Sequence, residues 1–285
     1  MIGRRLLLGA VPVAAMLPLG HALAIEPYAG PAIKRYALPW AGPRLTIAAL
    51  ADLHACGATM SEARLAAIVT QTNALQPDLI VLLGDYGFSS LVGAGGVLPQ
   101  ALVARHLGAL RAPLGTHAIL GNHDWWEDQA ARGSGDARAV PAIARELAAV
   151  GVRVLRNAAQ RIGGFWLAGL DSQWAFGNGR GAHDPGATLA AITDDAPAIL
   201  LAHEPDIFAA MPGRFALTLC GHTHGGQIRA FGYTPFLPSH FGTRYRHGLV
   251  IEEGRRLIVS AGLGTSFLPV RFNVPPEIVL VTLGG

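Results

Sequence analysis

Residues 79–85 have the sequence LIVLLGD, a continuous apolar run that ends in a glycine and an aspartate. An unbroken apolar run of this kind is typical of a strand buried on both faces of a parallel sheet. Asp85 would then stand at the carboxyl end of such a strand, where α/β folds place their ligand groups. The segment therefore predicts an α/β fold with functional side chains at one end of its sheet.

Four other segments repeat this layout of an apolar run followed by polar residues. The runs are Leu45–Leu50, His117–Leu120, Ala198–Ala202 and Leu217–Cys220, and they lead into D-L-H at 52–54, G-N-H-D at 121–124, His203 and G-H-T-H at 221–224. Carboxylate, imidazole and one carboxamide form a mixed nitrogen and oxygen set that suits manganese, iron or zinc. We expect these strand ends to converge on one pocket.

The five segments, in this order, resemble the signature of the calcineurin-like metallophosphoesterase family, which is D-x-H, G-D, G-N-H-[DE], a lone histidine and G-H-x-H. The resemblance extends from Asp52 to His224 and implies a four-layer α/β/β/α sandwich. Periodicity alone indicates only a mostly parallel α/β fold. One departure is Tyr86-Gly87 after Asp85, where many members have a polar or acidic residue.

The resemblance also implies two divalent metal ions. The residues expected to hold them are Asp85 as the bridge, Asp52, His54 and His224 on one ion, and Asn122, His203 and His222 on the other. Two metals about 3.5–4 Å apart lower the pKa of a bridging water and neutralise phosphoryl oxygens. Singly, a strand-end aspartate is often a helix N-cap and a lone histidine a core residue. The ordered set is what predicts the metal site.

His123 and Asp124 are the predicted catalytic residues. By the resemblance, His123 reaches the substrate and stabilises or protonates the leaving oxygen. Asp124 would orient the imidazole of His123 and raise its pKa. Proton transfer of this kind contributes about 10²–10⁴ in rate.

The first 24 residues predict an export leader. Arg4-Arg5 precedes an apolar run from Leu6 to Leu19, and Ala22-Leu23-Ala24 forms an A-x-A site. Cleavage after Ala24 and a twin-arginine route are the first interpretation, and an uncleaved anchor is the alternative. The protein is thus expected to be exported or periplasmic, with membrane association through its N-terminus if the leader stays. Residues 25–43 are expected to form a lead-in, and 44–285 the metallophosphoesterase domain.

Periodicity and capping signals place helices at Ser61–Leu75, Val97–Leu110 and Val140–Val150. They place strands at Phe165–Leu170 and Ile278–Thr282, and a hairpin of His247–Glu252 with Arg256–Ser260. The stretches Gly93–Gly96 and Arg132–Asp136 are predicted as surface loops.

Net charge and cysteine content limit the classes of function that the sequence supports. The chain has 22 basic and 19 acidic residues, and losing Arg4 and Arg5 with the leader leaves 20 against 19. This balance gives no support to nucleic-acid binding. Cys56 and Cys220 each adjoin a motif, so a disulfide, two apolar packing residues and a soft ligand at Cys56 all stay open.

The sequence thus predicts an exported phosphoesterase that hydrolyses phosphodiester or pyrophosphate bonds, with a lipid-linked substrate among the candidates. A metal-dependent nuclease and a non-catalytic metal-binding scaffold are the alternatives. Surface roles are expected for Arg244, Arg246 and Arg271, with a contact from one of them to substrate phosphate as the alternative. Trp125 and Trp126 are expected either to line an apolar substrate groove or to pack under the loop, and with Trp174 and Phe176 they could form an apolar wall beside the metals.

Overall fold

The computed structural model describes residues 20–57, 59–87, 96–177 and 179–284, whose strands form two sheets. In chain order the strands are β1 (Ala32–Leu38), β2 (Leu45–Leu50), β3 (Leu79–Leu82), β4 (Thr116–Ala118), β5 (Arg153–Val154), β6 (Ala158–Ile162), β7 (Phe165–Gly169), β8 (Ala198–Leu201), β9 (Leu217–Cys220), β10 (Gly248–Glu252), β11 (Arg255–Val259) and β12 (Glu277–Leu283). The first sheet has the order β1-β12-β2-β3-β4-β5 and the second has the order β10-β11-β9-β8-β7-β6.

Parallel pairing fixes where each sheet presents its loops. β2, β3, β4 and β5 run parallel in the first sheet, and β7, β8, β9 and β11 run parallel in the second. Their carboxyl ends therefore emerge along one edge of each sheet. The predicted hairpin is confirmed as the antiparallel pair β10–β11, with Glu253 and Gly254 at φ of 52° and 76° in its turn.

The central strands carry apolar residues on both faces, so one face of each sheet can pack against the other sheet. Leu79 and Val81 of β3 lie in the central core with Ile199 and Leu201 of β8. The remaining residues of β3 pack under the helices outside the first sheet. This explains why residues 79–83 show no alternation of apolar and polar residues.

The helices are, in chain order, α1 (Glu62–Ala74), α2 (Gln100–Leu107), α3 (Asn122–Trp126), α4 (Gln129–Ser134), α5 (Ala142–Ala149) and α6 (Pro185–Ala190). α1, α2 and α5 cover the first sheet, whereas α6 and the 3-10 helix Pro205–Ala209 lie against the second. The predicted α/β/β/α sandwich is confirmed. Ser61 caps α1 as predicted, because its side chain accepts a hydrogen bond from the backbone N–H of Arg64.

Two of the predicted helices are shorter than expected, and one predicted loop is partly wrong. Pro99 and Pro141 stand immediately before α2 and α5, so these helices begin later than periodicity suggests. The predicted loop 132–136 begins inside α4, whose N-cap Asp128 accepts from the Ala131 N–H and whose end is Gly135 at φ 62°. Of the predicted loop 93–96, only Gly96 is among the described residues.

The lead-in segment contributes an edge strand to the first sheet. β1 pairs in parallel with β12 from Ala32 opposite Glu277 to Leu38 opposite Leu283. The sheet therefore begins upstream of residue 44. Of the predicted leader, residues 1–19 lie outside the described part of the chain. Within the described ranges, no helix has the length and apolar character to cross a membrane.

Candidate metal centre

The loops that follow five parallel strands meet at one end of the sandwich, and they carry all seven predicted metal ligands. The side chains are buried: Asp52 and His54 after β2, Asp85 after β3, Asn122 at the start of α3 after β4, His203 after β8, and His222 and His224 after β9. The structure confirms that these strand ends converge. Residues up to 170 positions apart in the chain come into direct contact here.

Five of these seven residues adopt a left-handed backbone conformation, which is rare outside glycine. The φ angles are 53° at Asp52, 43° at His54, 57° at Asp85, 71° at His222 and 50° at His224. Conformations of this kind cost roughly 1–3 kcal/mol each and persist only where the surrounding structure enforces them. The packed strands beneath the loops supply that enforcement and direct the side chains toward one point.

Glycines before the ligands permit this close approach. Gly84 has a φ of 93°, and a Cβ atom placed there would collide with the backbone nitrogen of Gly121. A Cβ atom at Gly121 would in turn collide with Oδ1 of Asp85. Glycine at both positions therefore lets the loops after β3 and β4 touch through their backbones.

Asp52, His54 and His224 form the first group of converging donor atoms. Nε2 of His54 lies 2.9 Å from Nε2 of His224, which lies 3.7 Å from Oδ1 of Asp52. The donor atoms of this group lie within 4.8 Å of one another. Asp52 also accepts hydrogen bonds of 3.0 and 3.1 Å from the backbone N–H of His222, which fixes its carboxylate in place.

Asp85, His203 and His222 form the second group, whose donor atoms also lie within 4.8 Å of one another. Nδ1 of His203 lies 2.7 Å from the backbone oxygen of Leu83, to which it donates, so Nε2 is directed at Oδ2 of Asp85, 3.1 Å away. Among the described residues, Oδ1 of Asn122 and Nε2 of His222 are buried without a hydrogen-bond partner. Buried polar atoms of this kind are costly unless something satisfies them.

Burial controls the protonation of these side chains. It lowers the pKa of His54 to about 3, and it lowers the pKa values of His222 and His224 well below their ordinary value. These rings are therefore neutral at physiological pH, the form that binds metals. Burial raises the pKa of Asp52 to about 7, while His203 and His123 hold the pKa of Asp85 well below its usual range despite burial.

The donor set fits divalent cations. It combines neutral imidazoles, carboxylates and one carboxamide oxygen, all buried and converging, and Oδ1 of Asn122 and Nε2 of His222 are among its buried atoms without a hydrogen-bond partner in the described residues. A cation would satisfy those atoms and neutralise the carboxylates. Imidazole and carboxylate donors suit manganese, iron and zinc.

His123 forms a third group of converging donor atoms with His54 and Asp85, and it opens onto a pocket of about 480 Å³. Its backbone N–H donates to Oδ1 of Asp85 at 2.9 Å, and its ring centroid lies 5.0 Å from that of His54. The ring also contacts Trp126 edge to face, with 4.9 Å between centroids. This position gives the imidazole access to a molecule in the pocket.

Asp124 joins two of the ligand loops, and its predicted role in orienting the ring of His123 stays a prediction. Its two carboxylate oxygens accept hydrogen bonds from the backbone N–H groups of Asp85, Tyr86 and Gly121, at 2.8, 2.9 and 2.8 Å. Asp124 therefore ties the loop after β3 to the loop after β4. The sequence could not show this, because an acidic residue next to histidine is compatible with either partner.

The predicted apolar wall is half right. Trp126 and Trp174 line the pocket, and Trp174 packs on His222 with 4.7 Å between ring centroids. Trp125 is instead fully buried and donates to Asp171 at 2.9 Å, with Phe176 against its ring. Since α3 is helical, consecutive tryptophans must face different directions.

Phe236, Phe267 and Leu268 form the opposite wall of the pocket, which the sequence motifs did not indicate. Gln227 holds this wall, because Oε1 accepts from the Ser266 N–H at 2.7 Å and Nε2 lies 3.1 Å from the backbone oxygens of Ser266 and Leu268. Gln227 follows directly after the G-H-T-H-G-G stretch, and that proximity was the only available signal.

Arg271 is buried rather than on the surface, so that prediction is wrong. Its guanidinium donates to the backbone oxygens of Ala261, Gly264 and Val274. Gly264 in turn donates its N–H to the backbone oxygen of Asp52 at 2.7 Å. Arg271 thus supports the loop on which a predicted ligand rests. Arg244 is exposed, as predicted, and pairs with Glu252.

Both cysteines are free and buried, so the disulfide is absent. Sγ of Cys56 lies 3.6 Å from Oγ1 of Thr59. Neither cysteine belongs to the donor groups of the described residues. The interpretation of both cysteines as small packing residues agrees with this arrangement.

The candidate site lies within the part of the chain that matches a known protein family. A family model for calcineurin-like phosphoesterases matches residues 45–226, which include every predicted metal ligand, His123 and Asp124. The chain is 31% identical over 246 residues to an uncharacterized metallophosphoesterase of Aquifex aeolicus (strain VF5), covering 86% of this chain and 87% of that one.

Other relatives share this similarity. The uncharacterized metallophosphoesterase YkuE of Bacillus subtilis (strain 168) is 33% identical over 224 residues, covering 76% of this chain and 71% of that one. A Bos taurus protein described as a transmembrane protein with metallophosphoesterase domain is 31% identical over 256 residues, covering 86% of this chain but only 54% of its own length.

Proposed function

Because the chain belongs to the calcineurin-like phosphoesterase family, we propose that it is a dinuclear metal-dependent phosphoesterase acting on phosphodiester or pyrophosphate bonds. The position of Asp85 carries this proposal. Its Oδ2 lies 3.5 Å from Nε2 of His54 in the first donor group and 3.1 Å from Nε2 of His203 in the second. A single carboxylate oxygen between two donor groups is what a pair of cations requires as a bridge.

The chain's own residues divide into those that hold cations and those that face the substrate. Asp52, His54 and His224 would hold one cation, and Asn122, His203 and His222 the other, with Asp85 shared. Divalent cations there would neutralise phosphoryl oxygens and activate a water molecule for attack on phosphorus. Asp124 and Arg271 would keep the ligand loops at their spacing through the backbone contacts that they make.

His123 is the group that we assign to the leaving oxygen. Its ring lines the pocket, whereas its backbone N–H is anchored to Asp85, so the side chain faces the substrate from a fixed position. A protonated imidazole would donate its proton to the departing alkoxide, and a neutral one would donate a hydrogen bond to it. Either role suits an ester whose leaving group is a poor one.

The pocket walls favour a substrate with an apolar group. Trp126, Trp174, Phe236 and Phe267 surround the donor groups. An apolar group packed between these rings would gain roughly 25 cal/mol for each Å² of surface removed from water. We therefore propose diesters or pyrophosphates with an apolar moiety, lipid-linked ones included, over small monoesters.

We further propose that the enzyme is exported, on the strength of Arg4-Arg5, the apolar run after them and the A-x-A site at Ala22-Leu23-Ala24. Folding around metals in the cytoplasm before export would suit a twin-arginine route. Envelope lipids, cell-wall precursors and extracellular nucleotides are the substrates that such a location offers.

A non-catalytic scaffold and a nuclease are the rival functions. A scaffold has no need of an imidazole that opens onto a pocket beside the donor groups, as His123 does. A nuclease would require a positively charged track, whereas the mature chain is close to neutral.

The decisive experiment combines metal analysis with a substrate panel. Purified protein loaded with Mn²⁺ should contain two metal ions per chain by inductively coupled plasma mass spectrometry. It should hydrolyse apolar diesters or pyrophosphates faster than glycerol phosphate and single-stranded DNA. One metal per chain would exclude the dinuclear site, and turnover of DNA alone would establish the nuclease.

A further inference from the structure

The mouth of the pocket carries a group of apolar side chains that face solvent. Phe231 is 108% exposed, Tyr233 70% and Phe236 64%, and the adjoining Phe267 and Leu268 are also exposed. We call these five residues the rim. Phe236 and Phe267 belong to different loops, yet their ring centroids are 6.4 Å apart, so the rim joins both loops beside the pocket. Apolar side chains clustered at a binding site are typical of an interaction surface.

Phe231 lies in a tight turn, at a position where phenylalanine is unfavourable for the stability of the fold. The backbones of Ala230 and Tyr233 exchange hydrogen bonds of 3.0 and 2.9 Å across a two-residue turn of Phe231 and Gly232, both with positive φ. Such turns favour asparagine, aspartate or glycine, whose left-handed conformation costs less. A phenylalanine here is strained and fully exposed, so it stabilises nothing within the chain. Its placement points to a contact outside the molecule.

The turn is held in its protruding position. Nη1 of Arg246 lies 3.2 Å from Oγ1 of Thr234 and 3.5 Å from the backbone oxygen of Gly232. Arg229, at the start of the same hairpin, donates to the backbone oxygen of Asn273. The hairpin that carries Phe231 and Tyr233 is thus held in place by hydrogen bonds from two arginines at its base.

The two chain segments that carry the rim residues contain arginines but no acidic residue. Residues 207–251 and 254–276, which include every rim residue, contain no aspartate or glutamate, whereas arginines occur at 229 and 246 beside the hairpin. Aromatic side chains ahead of arginines match the interface of an anionic bilayer, where rings enter the headgroup layer and guanidinium groups meet phosphates.

The shape of the rim favours a lipid surface over a protein partner. A specific protein interface buries about 800 Å² on each side and needs a broad complementary face. A turn with Phe231 and Tyr233 at its tip is convex and narrow. A soft headgroup layer accepts such a projection without a matching cavity.

We propose that the rim docks on the surface of an anionic bilayer through Phe231 and Tyr233, with Arg229 and Arg246 at the phosphate level. This docking would hold the mouth of the pocket against the membrane. It does not depend on the phosphoesterase chemistry, because neither Phe231 nor Tyr233 lines the pocket.

A fluorophore at the tip tests the docking directly. Both native cysteines are buried, so an environment-sensitive label would react at the introduced position in Phe231→Cys. In the full chain, vesicles of phosphatidylcholine with about 30% phosphatidylglycerol should shift the emission to the blue and raise its intensity severalfold. The matched control is Leu114→Cys, since Leu114 is exposed but lies before β4, at the opposite end of the sheet from the metal loops.

The outcomes separate the rim from other membrane contacts. A leader that binds vesicles affects both labelled proteins equally, so only a response at position 231 that exceeds the one at 114 supports the rim. Equal responses at the two positions, no response at 231, or an equal response to pure phosphatidylcholine would overturn the proposal.

A second variant measures the contribution of the tip to binding. The double variant Phe231→Ser with Tyr233→Ser should bind anionic vesicles at least about tenfold more weakly in co-sedimentation, because two rings no longer leave water. Its turnover of a soluble nitrophenyl ester should match that of the parent chain. Unchanged vesicle affinity would contradict the proposal even if the protein proves to be an active phosphoesterase.

Discussion

Oδ2 of Asp85 lies 3.1 Å from Nε2 of His203, while Nδ1 of the same ring donates to the backbone oxygen of Leu83. The nitrogen that faces Asp85 is therefore the one available for either a proton or a cation. Burial disfavours a charged ring, but Asp85 and Asp52 outweigh burial and raise the pKa of His203 well above its usual value. In the metal-free protein a proton would sit between the two side chains, and a cation would replace it.

Asp85→Asn should reduce bound metal from two ions toward one or none. The shared carboxylate would be lost, so two cations would face each other with less negative charge between them. Turnover should nearly disappear, and metal content is measured by inductively coupled plasma mass spectrometry after gel filtration. Asp78→Asn is the control, because Asp78 bonds to the Thr46 N–H at the opposite end of the sheet. Two retained metals with normal turnover in Asp85→Asn would exclude the bridge.

His123→Ala should leave metal content unchanged and lower kcat for a poor leaving group by about 10²-fold or more. An activated nitrophenyl ester needs little help at the leaving oxygen, so its kcat should fall much less. Steady-state kinetics on both esters measure the difference, with His106→Ala as a surface control that loses only the contact with Glu62. Equal losses on the two esters would remove the role in protonation and leave electrostatic stabilisation.

Substitutions of the adjacent Trp125 and Trp126 should affect different properties, stability in the first case and substrate binding in the second. Trp125→Ala removes a fully buried ring and its hydrogen bond to Asp171, so the free energy of unfolding should fall by about 3–5 kcal/mol. Trp126→Ala should unfold much like the parent chain but raise KM for an apolar diester more than for a small nitrophenyl ester. Denaturant titration and kinetics on the pair distinguish the two effects. A kinetically silent Trp126 would remove the apolar wall.

Arg271→Met should destabilise the fold and loosen the metal loops. The buried guanidinium is the donor to three backbone oxygens, and losing it would leave them unpaired, at about 3 kcal/mol in total. Thermal unfolding and Mn²⁺ titration measure both consequences. Arg244→Met, which breaks the exposed pair with Glu252 and the stacking of the guanidinium on Phe241 and Tyr245, should change little. Arg271→Lys should recover part of the loss, because one ammonium cannot reach all three oxygens.

Metal binding should release more protons at pH 6 than at pH 8.5. Burial raises the pKa of Asp52 to about 7, so below that pH the metal-free carboxyl holds a proton that a cation must displace. His54, His222 and His224 release none, because their pKa values lie below this range. Mn²⁺ affinity should therefore rise more steeply with pH below about 7, where both Asp52 and His203 lose protons to the metal, than above it, where only His203 does. Calorimetry in buffers of different ionisation enthalpy counts the protons, and equal counts at the two pH values would contradict the assignment.

Much of the fold followed from local pattern. Continuous apolar runs at 45–50, 79–83 and 198–202 became central strands, since strands covered on both faces need apolar residues at every position. Proline and glycine limited the accuracy of the helix ends, because Pro99, Pro141 and Gly135 set boundaries that periodicity does not encode. The strand at Ala32–Leu38 was not predicted as one, since its pairing partner β12 lies 245 positions away in the chain.

What the sequence determined by itself is the set of side chains at the candidate metal site and their order along the chain, because ligand chemistry favours particular residue types directly after buried strands. What only the tertiary structure decided is where those side chains point and what else they meet. His54 contacts His224 across 170 residues, Asp124 accepts hydrogen bonds from the backbone of two ligand loops, and Arg271 is buried and bonds to the segment that contacts Asp52. Spacing along a chain fixes local periodicity, whereas the direction of a loop side chain follows from packing and from the left-handed backbone that packing enforces.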